Sequence, residues 1–401
     1  MITTINNEHK ELNFSSEREQ SQACLNSAEH EKNQGRKVLN VPNLRFPEFQ
    51  GEWEEYRIED ITENISSGRC KSHSPNGKYN LYGSTGIIGK TDEACYEGNL
   101  VLVARVGANA GSLQIINEPC GITDNTLIIK SKEVDALYLY FFLQHFNLNR
   151  LIFGSGQPLI TGGMLKKVKV SLGTVQEQNK LTRLLSFLDE RIATQNKIIE
   201  DLKKLKSAII EMEYGQMAKS ISHIGDFIEQ ISKRNKDSAI KNVLSVSNSQ
   251  GFIQQSEQFE NRIVASDDTS NYKIVERNDF AFNPARINVG SIARLTTFER
   301  GIVSPMYICF RTKDILFPEY LDYYFESKQF FTEIQKRLEG SVRQCLSFDG
   351  LCNIPLCVPA IEMQQQIGKR LSALVQEIKL EIDFLELLQK QKKFLLYQMF
   401  I

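Results

Sequence analysis

Three things are missing from this 401-residue chain. It has no CxxC pair, no apolar run near membrane-spanning length, and no segment dominated by charge of one sign. The eight cysteines, at positions 24, 70, 95, 120, 309, 345, 352 and 357, form no Cys/His cluster at zinc-binding spacing. That excludes a zinc ribbon or finger and leaves buried or semi-exposed thiols in a reducing cytoplasm. The lack of a long apolar run excludes a spanning helix, and no basic-then-apolar stretch opens the chain. The expectation is a soluble cytoplasmic protein with no membrane partner. Lys and Arg number 13 against 14 Asp and Glu in residues 41–173, and 17 against 17 in 215–359. Neither segment is a basic nucleic-acid module, so any DNA contact has to come from local patches or from other subunits.

Catalytic motifs are missing as well. Gly83-Ser84-Thr85-Gly86-Ile87-Ile88-Gly89-Lys90-Thr91 has phosphate-loop composition, but its first glycine falls one residue too early for the Gly-x4-Gly-Lys-Ser/Thr spacing. Asn283-Pro284-Ala285-Arg286 is similar to the Asn/Asp-Pro-Pro-aromatic loop of DNA amino-methyltransferases, yet lacks the second proline and the aromatic. The histidines at 9, 30, 73, 145 and 223 are scattered and pair with no nucleophile in a motif. No catalytic or metal-binding residue is assigned, and a binding role is the default.

What the chain does have is a repeat. Val175 to Tyr214 returns 186 residues later, without a gap, as Ile361 to Phe400. The first copy carries a seam at alternating spacings of four and three: Leu181, Leu185, Leu188, Ile192, Gln195, Ile199, Leu202, Lys206 and Ile209. The second carries Ile367, Leu371, Leu374, Ile378, Glu381, Leu385, Leu388, Lys392 and Leu395. This is coiled-coil periodicity. Both copies interrupt it at matched places, Gln195/Glu381 and Lys206/Lys392, where polar groups fix register at some expense in stability. Antiparallel packing of the pair would bring Glu381 toward Lys206. Each helix would span about 60 Å, against roughly 34–36 Å for one turn of DNA.

Each helix follows a mixed block. In the first, Leu100 to Val103 and Thr126 to Ile129 read as buried strands and Tyr138 to Phe146 as a helix. In the second, the matching runs are Asp279 to Phe282, Met306 to Phe310 and Tyr320 to Phe325. Ile58-Glu59-Asp60-Ile61 parallels Ile224-Gly225-Asp226-Phe227, Asn109 to Ser112 parallels Asn288 to Ser291, and Gly154-Ser155 parallels Gly340-Ser341. The offset drifts from about 165 to 186, so insertions fall in the blocks and none in the helices. The expected fold is α+β. Two tandem α/β domains alternate with two long helices that pair as an antiparallel coiled coil, giving pseudo-two-fold symmetry. The boundaries are a flexible extension at 1–40, a first block at 41–173, a first helix at 174–214, a second block at 215–359 and a second helix at 360–401.

Val41-Pro42-Asn43-Leu44-Arg45-Phe46-Pro47-Glu48-Phe49 followed by Gly51-Glu52-Trp53 resembles the N-terminal signature of type I restriction-modification specificity subunits. Tyr82 to Gly89 and Gly154-Ser155-Gly156-Gln157-Pro158 resemble stretches of their target-recognition domains. Leu202 to Lys206 and Leu395 to Phe400 resemble the ends of their repeat helices. The resemblance covers about 41–401. It departs at Gly173, where a proline usually leads into the helix, as Pro359 does in the second copy. It departs again in Ile210 to Tyr214, a degraded form of the second ending, and in the long extension. The resemblance implies a non-catalytic subunit whose two domains each read one half of a bipartite double-stranded DNA site. The helices would set the spacing and dock two methyltransferase subunits, and restriction subunits would join that core where present. S-adenosylmethionine, ATP and Mg would then sit on the partners, with no cofactor in this chain. It also implies a prokaryotic host.

The resemblance supplies no universal base-reading residues, so these rest on chemistry. The first-block candidates are Arg69, Lys71, Lys78, Ser84, Thr85, Arg105, Asn109 and Gln157. The second-block candidates are Lys233, Arg234, Lys236, Asn248, Arg286, Asn288, Arg294, Arg343 and Gln344. Two rival readings are a coiled-coil scaffold that binds only proteins, and a stand-alone methyltransferase or nuclease.

Overall fold

The computed structural model describes residues 39–71, 74–152, 157–215, 222–248, 250–255, 268–340 and 344–401. The sequence-based expectations for the N-terminal extension through residue 38, and those for Ser72, His73, Gly154, Ser155, Ser341 and Arg343, lie outside the described residues. The described residues form two units, those up to 189 with 389–401, and those within 190–388. No helix among the described residues is long and apolar enough to cross a membrane.

The first unit opens with strand Glu54–Arg57 paired to Lys169–Leu172. The Ile58–Ile61 turn follows, its entry fixed by Asp60, which accepts the Arg57 backbone N–H at 3.0 Å. A four-stranded antiparallel sheet then holds Leu113–Asn117, Asn99–Ala104, Thr126–Ser131 and Thr62–Ser67, in that order across the sheet. A smaller sheet carries the hairpin Tyr79–Gly83/Gly86–Thr91, with Cys120–Ile122 parallel to its first strand. The phosphate-loop lookalike is therefore a β-hairpin. The alternating strand residues Val101 and Val103 pack under helix Ala136–Phe146, while Leu100 and Leu102 face the smaller sheet.

The second unit repeats this plan. Asp226 accepts the His223 backbone N–H at 2.8 Å, so the shared Ile-x-Asp pattern is a helix-entry device in both blocks. Strands Ile228–Ile231, Ile308–Thr312, Phe280–Phe282 and Ile292–Arg294 form the four-stranded sheet. The smaller sheet holds Gly251–Gln254, Val243–Ser247 and Arg300–Val303, and gains a fourth strand, Lys273–Glu276. Phe280, Phe282 and Phe310 build the main core beneath helix Pro318–Tyr324.

The long helices run Val175–Tyr214 and Ile361–Met399. Every seam position is buried or half-buried, and most of the intervening positions are exposed. In the second unit Gln195 donates to the Glu381 carbonyl at 3.1 Å, and also to its carboxylate. Glu213 lies 3.5 Å from Arg370, so the segments in that unit are antiparallel. The expected Glu381–Lys206 contact does not form. Glu381 is taken by Gln195, and Lys206 turns instead to Glu326 of the recognition block, 2.6 Å away. In the first unit Leu181, Leu185 and Leu188 share a core with Leu395, Met399 and Phe400.

The N-terminal signature is explained by Glu177, a carboxylate only 2% exposed in the first turn of the first long helix. Arg45 grips it with two hydrogen bonds of 2.7 and 2.8 Å, and the Trp53 indole donates a third at 3.1 Å. A buried charge needs such pairing. The same site accounts for Gly173. A Cβ there would lie 2.5 Å from the Glu177 carboxylate and 2.7 Å from the Trp53 nitrogen. The helix-entry role of Pro359 persists in another form, because Gln178 and Gln364 donate to the carbonyls of Gly173 and Pro359 at 2.9 and 2.8 Å.

Candidate nucleic-acid interface

In the first block, strand Asn99–Ala104 runs out into a turn whose glycines 107 and 111 have φ of 80° and 87°. The segment after Gln157 folds against this turn. Ile160 N–H donates to the Arg105 carbonyl at 2.8 Å, and Gly107 N–H to that of Pro158 at 3.1 Å. Arg105, Asn109 and Gln157, which span more than 50 positions of sequence, are thus carried on one double loop, and Asn109 and Gln157 are exposed. The Arg105 Nη1 approaches Ser67 Oγ at 3.4 Å, while its buried Nε has no partner among the described residues. Ser84 and Thr85 form the tip of the hairpin, tied down by Gln114, which donates to the Gly83 carbonyl at 2.9 Å. Arg69, Lys71 and Lys78 are exposed, and the Lys78 ammonium sits 5.3 Å from the Tyr79 ring centre.

In the second block the structure gathers the candidates into two places. Lys233, Arg234 and Lys236 are exposed along a groove of about 720 Å³ that Arg300 also lines. Asn235 holds this loop in shape. It is fully buried, and its side chain donates to the Ile240 carbonyl at 3.0 Å and accepts the Ile240 N–H at 3.1 Å. Arg234 also donates to Asn271 at 2.9 Å. The cluster is therefore a pre-shaped cationic edge, suited to phosphate oxygens.

The second place is the loop after strand Phe280–Phe282. Asn283 accepts the Ala285 N–H through its side chain at 3.1 Å, and Ser291 N–H closes the loop on the Arg286 carbonyl at 3.1 Å. Leu346 N–H donates to the Pro284 carbonyl, which draws the exposed Gln344 toward the same loop. Asn248, at a turn, and Arg286 line a cleft of about 400 Å³, and Asn288 lies nearby in the short helix Ile287–Val289. The repeat is structural here: Asn283 N–H bonds the Ser291 carbonyl just as Ala104 N–H bonds that of Ser112.

Arg294 leaves the set of candidate readers. Its guanidinium is held by Asp322 at 3.0 Å, Glu319 at 3.3 Å and Asn278 at 3.0 Å, and the side chain is 11% exposed. Burial lifts the Asp322 carboxyl above its ordinary range, and Arg294 opposes that shift. Base contact would have to break this network. Sequence reasoning missed Glu177, whose only local signal is an acid in a first helical turn. It also passed over Tyr272, Ser304 and Tyr307 of the cleft, which come from separate segments.

The model of the type I restriction modification DNA specificity domain matches residues 50–204 and again 220–390. The chain is 24% identical over 404 residues to the type I restriction enzyme MjaVIII specificity subunit of Methanocaldococcus jannaschii, covering 87% of this chain and 92% of that one. It is 24% identical over 131 residues to the EcoprrI specificity subunit of Escherichia coli, about a third of each chain at 32%. Among solved structures, the type I restriction-modification S subunit of M. genitalium aligns over 90% of this chain and 99% of its own, with TM-score 0.61 at 16% identity. A chain from a structural study of type I complex assembly and conformational transition aligns over 87% and 97%, with TM-score 0.51 at 12% identity.

Proposed function

This chain belongs to the type I restriction modification DNA specificity family, and from that premise we propose how it works as the specificity subunit of such a system. Each block reads one half of a bipartite DNA site, and the paired helices fix the spacing between the halves. The helices also dock two methyltransferase subunits. Restriction subunits join that core where the host encodes them. This chain contributes no catalytic residue, and S-adenosylmethionine, ATP and Mg belong to the partners.

One observation carries this reading. The two blocks share a scaffold down to matched hydrogen bonds, yet their loops differ in charge and shape. The first block offers Arg105, Asn109 and Gln157 on a double loop, and the second offers Lys233, Arg234 and Lys236 along one groove and Asn248 and Arg286 in a separate cleft. A common frame with unlike loops is what two different half-sites require. Neutral blocks bind DNA weakly alone, so the methyltransferase subunits provide much of the phosphate-neutralising charge.

The test is co-expression with the host's methyltransferase subunit. A stable complex that binds one duplex sequence selectively supports the reading. A complex without sequence-selective binding favours the scaffold instead, and failure to form a complex contradicts the docking role.

A further inference from the structure

The cleft in the second block differs chemically from the cationic groove of the same block. Its volume is about 400 Å³, within the range of small-ligand pockets. Among the described residues, no Asp, Glu or Lys lines it. Its walls are Leu244, Val246, Tyr272 and Tyr307, with Met306 at the rim, 58% exposed. Its polar groups are neutral amides and hydroxyls, among them Asn248, Asn283, Ser245 and Ser304, and the exposed Arg286 adds a cation.

Asn283 is 7% exposed as a residue. Its side-chain oxygen is engaged by the Ala285 N–H. Its NH₂ group, by elimination, is the donor left for an occupant. Tyr307 is fixed by accepting the Val246 N–H at 3.3 Å, and Ser291 donates to the Val246 carbonyl at 3.2 Å, so the wall is held in place without using Asn248 or Asn283. Apolar and aromatic walls, neutral donors and acceptors inside, and a cation at the mouth complement a flat, uncharged heterocycle attached to a phosphate. The equivalent positions in the first block, by the matched hydrogen bonds, are Ala104 for Asn283 and Gly107 for Arg286. The chemistry is therefore peculiar to the second block.

We propose that this cleft takes an unstacked nucleobase, with Asn283 and Asn248 on its edge, Tyr272 and Tyr307 against its faces and Arg286 on its phosphate. The base comes from the half-site that the second block reads, extruded from the duplex. This rests on the DNA-specificity reading above. A free nucleoside presents the same ring, and the experiment separates the two sources.

The complex with methyltransferase subunits is titrated onto its mapped site carrying 2-aminopurine at one position at a time. The same duplexes are assayed for selective binding and methylation, which tests the underlying reading on its own. The expected result is several-fold brightening at one position other than the methylated base. Met306→Trp, which fills the mouth, should abolish that signal while brightening at the methylated base persists, and Arg286→Ala should diminish it. In parallel, adenosine, guanosine, cytidine and thymidine are titrated calorimetrically. Saturable binding of one nucleoside, lost in Met306→Trp and without duplex brightening, overturns the extruded-base proposal and assigns the pocket to a free base. Neither signal in a complex that binds and methylates its site overturns the proposal, as does brightening that survives both substitutions.

Discussion

Lys206, a polar break in the apolar seam of the first long helix, places its ammonium 2.8 and 2.6 Å from the two carboxylate oxygens of Glu326. It also lies 5.6 Å from the ring centre of Tyr323. Its repeat partner Lys392, in the other unit, lies 2.6 Å from Asp189 of the first long helix and 5.4 Å from the Phe141 ring of the first block. Each matched break thus sets an ammonium against an aromatic ring of a recognition block, and Lys206 is ion-paired to its block as well. Lys206→Ala removes a half-covered ion pair and a cation–π contact, together worth about 1 kcal/mol. Urea unfolding followed by circular dichroism should show a midpoint decrease, and Glu326→Gln a smaller one. No change in either variant would contradict the fastening role.

Gln195 and Glu381 form the other matched break, and they meet each other within one unit. Gln195→Leu leaves the Glu381 carboxylate beside an apolar side chain, a loss of about 1–3 kcal/mol. The double variant with Glu381→Leu restores or exceeds the original stability, because the apolar seam then continues unbroken. A denaturation cycle over the four proteins checks the coupling. Additive effects would sink the idea that the two side chains act as a pair.

Gly173→Ala tests the buried junction of Arg45, Trp53 and Glu177. The added methyl meets the Glu177 carboxylate and the Trp53 indole nitrogen inside normal contact distance. An overpacking loss of about 1–3 kcal/mol follows. The chain has one tryptophan, so a shift in its fluorescence maximum reports the displacement directly.

Replacing Lys233, Arg234 and Lys236 with Gln removes three cations from the groove edge. In the assembled complex, the slope of log affinity against log salt should become shallower by roughly one unit for each cation that pairs with a phosphate. Affinity should fall similarly on specific and mismatched duplexes. An unchanged slope would remove this cluster from the interface.

Much of this was legible in the sequence. The seam survives because a 3.5-residue period is local, and its gap-free repeat places both helices within a residue of their ends. The buried strands at Val101 and Phe280 are legible for the same reason. The partners of charged groups are not. Arg45 finds Glu177 across 132 positions, and Arg294 finds Asp322 across 28, so nothing in the pattern near either arginine reveals its commitment. Lys206 is the instructive case. The period places it in the seam, but the helix carrying Tyr323 and the turn carrying Glu326 come from the intervening block, and they decide where its charge goes.

The central claim is that two unlike readers share one scaffold. Single-molecule mapping of methylated adenines tests it most directly, in a host with no other adenine methylation that expresses this chain with its methyltransferase subunit. The account predicts one bipartite motif with a fixed spacer, and Asn248→Ala with Arg286→Ala relaxing one half of it only. A continuous motif, or a substitution in the second block that alters both halves, would contradict it.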